Sequence, residues 1–302
     1  MNKELRITIK NDKHWHELRR QNVGASDVAC LFGASTFMSK FELWHQKRGN
    51  DMGFADNERM LLGRELEAGI ASAACKKYEW KFISCAGQYY LHPTVDGMGC
   101  TPDGMIIESE GEGHVGAIEI KNVDYIQYRD KWKDDEPPLN YILQLQHQLA
   151  VTGLSYGYIV ALIGGSELKA YRYERNEEAI AKIISAINEF WQSVAEEKEP
   201  LIESAGDLEV VKSIMKHEGE EQDLSADNEL PDLCARFLAA KAERLVAEKK
   251  EKALQAEVIK KVGSYTFTLA AGFNISYKKV ISERKAQPAK TTVSNRLTVK
   301  EV

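Results

Sequence analysis

Cys100-Thr101-Pro102-Asp103-Gly104, with Ala117-Ile118-Glu119-Ile120-Lys121 after it, is the stretch that decides how this chain is read. In a strand, residues two apart share a face, so Glu119 and Lys121 project together while Ile118 and Ile120 face the other way. A carboxylate and an ammonium on a strand whose other face is apolar are expensive to place without a use. Pro102-Asp103-Gly104 has the composition of a turn where a neighbouring strand begins, so a hairpin brings the Asp103 carboxylate beside Glu119. Two carboxylates converging on one point suit a hard cation with oxygen ligands, Mg²⁺ above all. Such an ion polarises a bound oxygen and acidifies water, and Lys121 is placed to orient or deprotonate that water or to stabilise gathering negative charge. The same residues also fit a plainer reading, a surface salt bridge beside an ordinary Asp-Gly turn. Asp96-Gly97 is a second Asp-Gly, but it lacks the Thr-Pro lead and lies farther from the Glu-x-Lys strand.

Upstream, His14 to Gln21 reads as a helix, Ala25-Ser26-Asp27 caps a second running to about Leu31, and Phe41 to Lys47 reads as a third. Glu58 to Tyr78, rich in Ala, Leu and Glu, reads as a long helix. The texture then changes to short strand-like runs at Trp80 to Cys85, Gln88 to Leu91, Gly104 to Ile107 and Val115 to Ile120. Downstream, Ile126 to Lys133 and Leu139 to Val151 read as helices, the second favoured by Pro137-Pro138 before it. Tyr156 to Ile163 and Leu168 to Tyr173 read as strands, and an amphipathic helix from Asn176 to about Glu197 closes the unit. This order predicts a mixed α/β core over residues 1–202.

The composition shifts after that. Residues 203–230 form an acidic linker, with nine acidic and two basic residues between Glu203 and Glu229. Residues 231–302 make an extension: a helix from Leu233 to Val262, then a hairpin from Ser264 to Lys279 that alternates apolar and polar residues around Ala271-Gly272. From Lys278 to the end there are seven basic and two acidic residues. The extension reads either as a helical arm packing on the core or on itself, or as a handle for DNA, through the basic tail, or for a partner protein.

The 302 residues are 43% hydrophobic and 28% charged, which is globular composition, and the net charge of −6 does not by itself suggest a nucleic-acid binder. No apolar run approaches the roughly 20 residues of a membrane span, and the polar first residues lack a signal-peptide core. Cys30, Cys75, Cys85, Cys100 and Cys234 are scattered without a C-x-x-C pair, which argues against a disulfide framework, a thiolate metal site or an iron–sulfur cluster. His14, His16 and His147 lack zinc-site spacing. A cytoplasmic location is expected.

Several segments taken together resemble the phage lambda exonuclease and YqaJ-type viral recombinase family, over about residues 13–197 and in the family's order. Cys100-Thr-Pro-Asp103-Gly resembles its metal-binding aspartate turn and Glu119-Ile-Lys121 its Glu-x-Lys strand. Gly63-Arg-Glu-Leu-Glu67 resembles the helical motif whose last glutamate completes the acidic site. Trp15-His-Glu-Leu-Arg19 and Gly24-Ala-Ser26-Asp resemble the segment where an arginine and a serine hold a DNA phosphate. Tyr141-Ile-Leu-Gln144-Leu-Gln146 resembles the helix whose tyrosine and first glutamine line the site. Glu65 is the fallback for Glu67, and Arg20 competes with Arg19, although the seven-residue step to Ser26 favours Arg19. Gln144 and Gln148 share a helix face, and Gln146 and His147 point elsewhere.

The resemblance implies a restriction-endonuclease-like fold, with a central mixed sheet flanked by helices. It implies a Mg²⁺-dependent (Mn²⁺ as substitute) 5′→3′ exonuclease on linear double-stranded DNA, of phage or prophage recombination, that leaves 3′ single-stranded overhangs. Asp103, Glu119, Glu67 and the Ile120 carbonyl would hold metal, and Lys121 would act on water. Arg19, Ser26, Gln144 and Tyr141 would meet the DNA and its 5′ phosphate. A ring-shaped homotrimer and a single-strand annealing protein are the implied assembly and partner. A structure-specific endonuclease and an inactive DNA-binding scaffold are the alternatives.

Overall fold

The computed structural model describes residues 5–50, 57–108, 114–215 and 222–279, and the chain divides into two compact units, Met1–Met215 and Lys216–Val302. The first unit opens with β1 (Arg6–Thr8), α1 (Asp12–Gln21), α2 (Val28–Leu31), α3 (Lys40–Lys47) and α4 (Glu58–Tyr78). Strands follow: β2 (Lys81–Ser84), β3 (Gln88–Leu91), β4 (Gly99–Cys100), β5 (Gly104–Ile107) and β6 (Val115–Val123). The unit continues with α5 (Tyr125–Lys131), α6 (Leu139–Thr152), β7 (Tyr156–Ile163), β8 (Glu167–Glu174), α7 (Glu177–Ala195) and α8 (Asp207–Ile214).

The main sheet has the order β2-β5-β6-β7-β8, with β6 and β7 parallel and the other pairs antiparallel, so it is mixed as the sequence predicts. β6 is its centre, buried from Gly116 to Ile120. Ile118 and Ile120 pack with Ile70, Ala71 and Ala74 of α4, whereas Ala117 and Val123 pack with Leu145 and Leu149 of α6. The alternation expected at Glu119-Ile120-Lys121 is therefore real, and one helix covers each face of the sheet. A second cluster joins Ile180, Ile183, Ile187 and Phe190 of α7, at helical spacing, to Val28, Leu43, Trp44 and Met98.

Local chemistry sets the element ends. Asn11, Asn57, Asp124 and Asn176 cap α1, α4, α5 and α7, each accepting a backbone N–H three residues on. Gly153, with φ of 74°, ends α6 in the left-handed region that favours glycine. Gly97 also has positive φ, and its carbonyl accepts from Val23 N at 2.7 Å and Trp191 Nε1 at 2.8 Å. Asp96-Gly97 is thus a structural turn holding the Val23–Met98 bridge.

The structure corrects two expectations and adds two strands. Ser26 is not a helix cap: α2 starts after Asp27, has only four residues, and no side chain caps it. The acidic segment 203–230 does not begin as a linker, since α8 belongs to the first unit and buries Asp207 and Val210. Asp207 accepts from Ser39 Oγ and from the backbone N–H groups of Glu203 and Ser204. Two short strands, β1 and β4, were not visible in the sequence and pair with β3 in a separate sheet of order β1-β3-β4.

In the second unit, α9 (Leu230–Val262) is followed by β9 (Phe267–Ala270) and β10 (Phe273–Ser276), an antiparallel hairpin turning at Ala271-Gly272. The helix and hairpin agree with the sequence reading, while most of the basic tail lies outside the described residues. No helix among the described residues is long and apolar enough to cross a membrane.

Candidate active site

β5 pairs with β6 only as far as Gly104 opposite Ile118. A Cβ at Gly104 would meet the Phe82 ring at 2.3 Å and the Ile83 carbonyl at 3.2 Å, so a side chain there would have to displace that ring. Where β5 ends, Asp103 takes over the vacated edge, and its Oδ2 accepts the Ile120 N–H at 2.7 Å. The N–H and C=O of one strand residue point to the same side, so the Ile120 carbonyl also faces the Asp103 edge, past the last β5 partner.

Glu119 and Lys121 lie on the opposite face from α4, beneath α6. Glu119 is 2% exposed, and three donors fill its oxygens. Oε1 accepts from Lys121 Nζ at 2.5 Å and Gln144 Nε2 at 2.6 Å, and Oε2 accepts from Gln148 Nε2 at 2.6 Å. Lys121 Nζ also donates to Gln144 Oε1 at 3.1 Å and lies 4.8 Å from the centre of the Tyr141 ring. Charge-assisted bonds of this length repay part of the cost of burying a carboxylate.

Burial, the Glu119 charge and then the Glu67 charge push Asp103 well above the usual carboxylate range, against the pull of Lys121 and the Ile120 N–H. Burial and then Glu119 also raise Glu67. Lys121 is raised: burial opposes its charge, but Glu119 and Asp103 outweigh it. A pocket of mutually repelling carboxylates with one ammonium is a site that gains from a further cation.

Of the sequence candidates, Asp103, Glu119, Lys121, Gln144 and Tyr141 come together. Glu67 is near enough for its charge to act on Asp103, whereas Glu65 is exposed. Among the described residues, however, no three His, Cys, Asp or Glu side chains gather as a ligand set.

Arg19 and Ser26 also meet, with Arg19 NH2 donating to Ser26 Oγ at 3.2 Å and to Asp27 Oδ1 at 2.6 Å, above the Trp15 ring. Arg20 is exposed. Behind them Asp27, 3% exposed, accepts from Lys47 Nζ at 2.8 Å, and Lys47 also donates to the carbonyls of Arg19 and Asn22. Although burial favours the neutral acid, Arg19 and Lys47 hold Asp27 well below the carboxylate range.

Sequence reasoning put Gln148 on the face of Gln144 without giving it a role, and it passed over the Asp27–Lys47 pair. Sharing that face, Gln148 reaches the same carboxylate as Gln144. Lys47 carried one signal, its place among Phe41, Leu43 and Trp44 on a short helix that buries most of its residues. Gln146 has a different task, joining Glu174 O and Asn176 N and so fixing α6 to the start of α7.

Residues 14–155 match the family profile of the YqaJ-like viral recombinase domain. YqaJ of Bacillus subtilis (strain 168) is 26% identical over 296 residues, covering 93% of this chain and 89% of that protein. A crystal structure of LHK-Exo, an alkaline exonuclease from Laribacter hongkongensis, is 26% identical with a TM-score of 0.51, covering 61% of this chain and 93% of that one. A second, in complex with dAMP, is 25% identical with the same TM-score, covering 62% of this chain and 94% of that one. The fold and these similarities place the chain among nucleases of the phage-exonuclease class. Within that class, the part of this chain that is similar to the YqaJ-like viral recombinase domain is residues 14–155, a little under half of its length.

Proposed function

We propose that this nuclease is a Mg²⁺-dependent 5′→3′ exonuclease that digests one strand of linear double-stranded DNA, leaving 3′ single-stranded overhangs for phage-type recombination. The observation that carries the reading is the buried Glu119 carboxylate, held by Lys121, Gln144 and Gln148 beside Asp103 on the unpaired edge of β6.

The donor set fits a hard divalent cation. Asp103, Glu119 and the Ile120 carbonyl are all oxygen ligands, and Mg²⁺ is commonly held by one or two carboxylates with water completing its shell. Glu67, whose charge acts on Asp103 and which feels that of Glu119, would complete the acidic set, directly or through water. The metal, when bound, supplies polarisation of the scissile phosphate and acidification of water. Lys121 has three N–H donors, two of them directed at Glu119 and Gln144, which leaves one for the attacking water or a phosphate oxygen. Gln144 couples the two by donating to Glu119 and accepting from Lys121. Tyr141 lies against Lys121 and restricts where its head can go. Arg19 and Ser26 form a donor pair suited to a terminal phosphate, with Asp27 and Lys47 fixing the guanidinium from behind. A ring-shaped homotrimer and a single-strand annealing protein belong to the same reading, and both rest on the family resemblance.

The test compares linear duplex carrying 5′-phosphate, linear duplex carrying 5′-hydroxyl, and closed circular duplex, each labelled at one end or internally. Expected are release of 5′-end label first, faster digestion of the phosphorylated end, and an intact circle. Release of 3′ label first would reverse the polarity, and a cut circle would mean an endonuclease. Binding without cutting in Mg²⁺ or Mn²⁺ would mean a scaffold.

A further inference from the structure

Charge is divided unevenly along this chain. Residues 230–302 hold fifteen Lys and Arg against seven Asp and Glu, a net of +8 within a chain whose net is −6. An acidic first part joined to a basic end concentrates attraction for a polyanion on residues 230–302, within a second unit (Lys216–Val302) whose own net is +3. There, β9 and β10 pair Phe273 with Ala270, Ile275 with Thr268 and Ser276 with Phe267. A two-stranded ribbon has no interior of its own in which to bury large side chains. Tyr265, Phe267, Leu269, Phe273 and Tyr277 are accordingly between 50% and 72% exposed. Directly paired residues share a face, so Phe267 and Leu269 lie on one side of the ribbon and Phe273 on the other. Exposed lysines stand at both ends, Lys260 and Lys261 before the hairpin and Lys278 and Lys279 after it.

We propose that this hairpin and its lysine pairs bind single-stranded DNA, with unpaired bases stacking on the exposed rings and the lysines following the phosphates. Aromatic side chains between cations match that ligand on both counts: every base has a face to stack, and every nucleotide carries a charge to neutralise. A duplex hides its base faces in its own stack and would use the lysines alone. A second copy is disfavoured because it would bring together two units that each carry net positive charge, and the rings are spread over both faces rather than gathered in one dry stripe. The strand bound would be the 3′ overhang left by the nuclease. That link rests on the proposed activity, while the binding itself does not.

The experiment measures fluorescence anisotropy of a labelled oligothymidylate with the full-length protein in EDTA, so that no cutting occurs. A duplex of equal length serves as competitor, and sedimentation reports the oligomeric state. The protein is expected to prefer the single strand, with affinity falling as salt rises. Phe267→Ala with Phe273→Ala is expected to weaken binding about tenfold or more while digestion of linear duplex in Mg²⁺ continues. Lys278→Ala with Lys279→Ala leaves the rings in place. It is expected to weaken binding severalfold and flatten its salt dependence, which keeps the test informative if the aromatic variant misfolds. Unchanged affinity in both variants, equal competition by duplex, or dissociation of an oligomer with affinity preserved would each overturn the proposal. A parent protein that binds the single strand but never digests duplex would sink the nuclease reading and leave this one standing.

Discussion

Glu119 is a buried carboxylate whose two oxygens are filled by Lys121, Gln144 and Gln148. Gln148 alone serves Oε2, and as its side chain is fully buried it acts by positioning Glu119 rather than by touching DNA. Gln148→Leu removes that donor at similar volume, and a buried acceptor left unpaired costs about 1–3 kcal/mol. The variant is expected to melt at lower temperature and to digest duplex at least tenfold more slowly at saturating substrate, with KM little changed. A lower melting temperature with unaltered kcat would reduce Gln148 to a purely structural residue. At this scale much was legible, because Glu-x-Lys on a strand and Gln144 with Gln148 on a helix obey fixed periodicities. That a hairpin brings Asp103 beside Glu119 was legible too. What was not legible is that pairing with β5 stops at Gly104, so that Asp103 itself accepts the Ile120 N–H. Pairings distant in sequence leave no periodic trace.

α6 is the element that ties the site to the rest of its unit. Gln144 and Gln148 face Glu119, Gln146 reaches α7, and His147 donates from Nε2 to Gly99 O at 3.0 Å, fixing the helix on β4. Nδ1 of His147 is buried, with no partner among the described residues. Burial, opposed by the Gly99 carbonyl, lowers the pKa of this imidazole from 6.5 to about 4. A depressed pKa means that the stability is fully present above pH 6.5, where the ring is neutral in both states. It is lost as pH falls from 6.5 towards 4, because the unfolded chain takes up the proton first. That interval corresponds to roughly 3 kcal/mol. Urea denaturation between pH 7.5 and 4 is expected to show the decline in the parent, and His147→Gln, which keeps a donor for Gly99, is expected to flatten it. Equal slopes in the two proteins would mean that the ring titrates normally. α6 was readable from Pro137-Pro138 before it. α2 ends at Leu31 as its sequence reads, but it starts after Asp27, so Ser26 meets Arg19 of α1 instead of capping a helix.

At the scale of the whole molecule, the boundary between the two units follows packing rather than composition. Residues 203–215 look like linker by charge, yet Asp207 and Val210 bind α8 to the first unit, and the division falls after Met215. Composition could not show this, since one buried aspartate accepting three hydrogen bonds is invisible among nine acidic residues. The helix and hairpin of the second unit were readable because each has a strong local pattern. The nuclease fold was readable because its motifs surround one strand, β6, whose two faces are covered by different helices. That strand also makes the central reading testable in one measurement: Mg²⁺-dependent digestion of 5′-phosphorylated linear duplex by the parent, by Asp103→Ala and by Lys121→Ala. The site described here predicts that EDTA stops the parent and that each variant loses at least a hundredfold in rate while remaining folded by circular dichroism. Digestion by either variant at the parent's rate, or by the parent in EDTA, would contradict it.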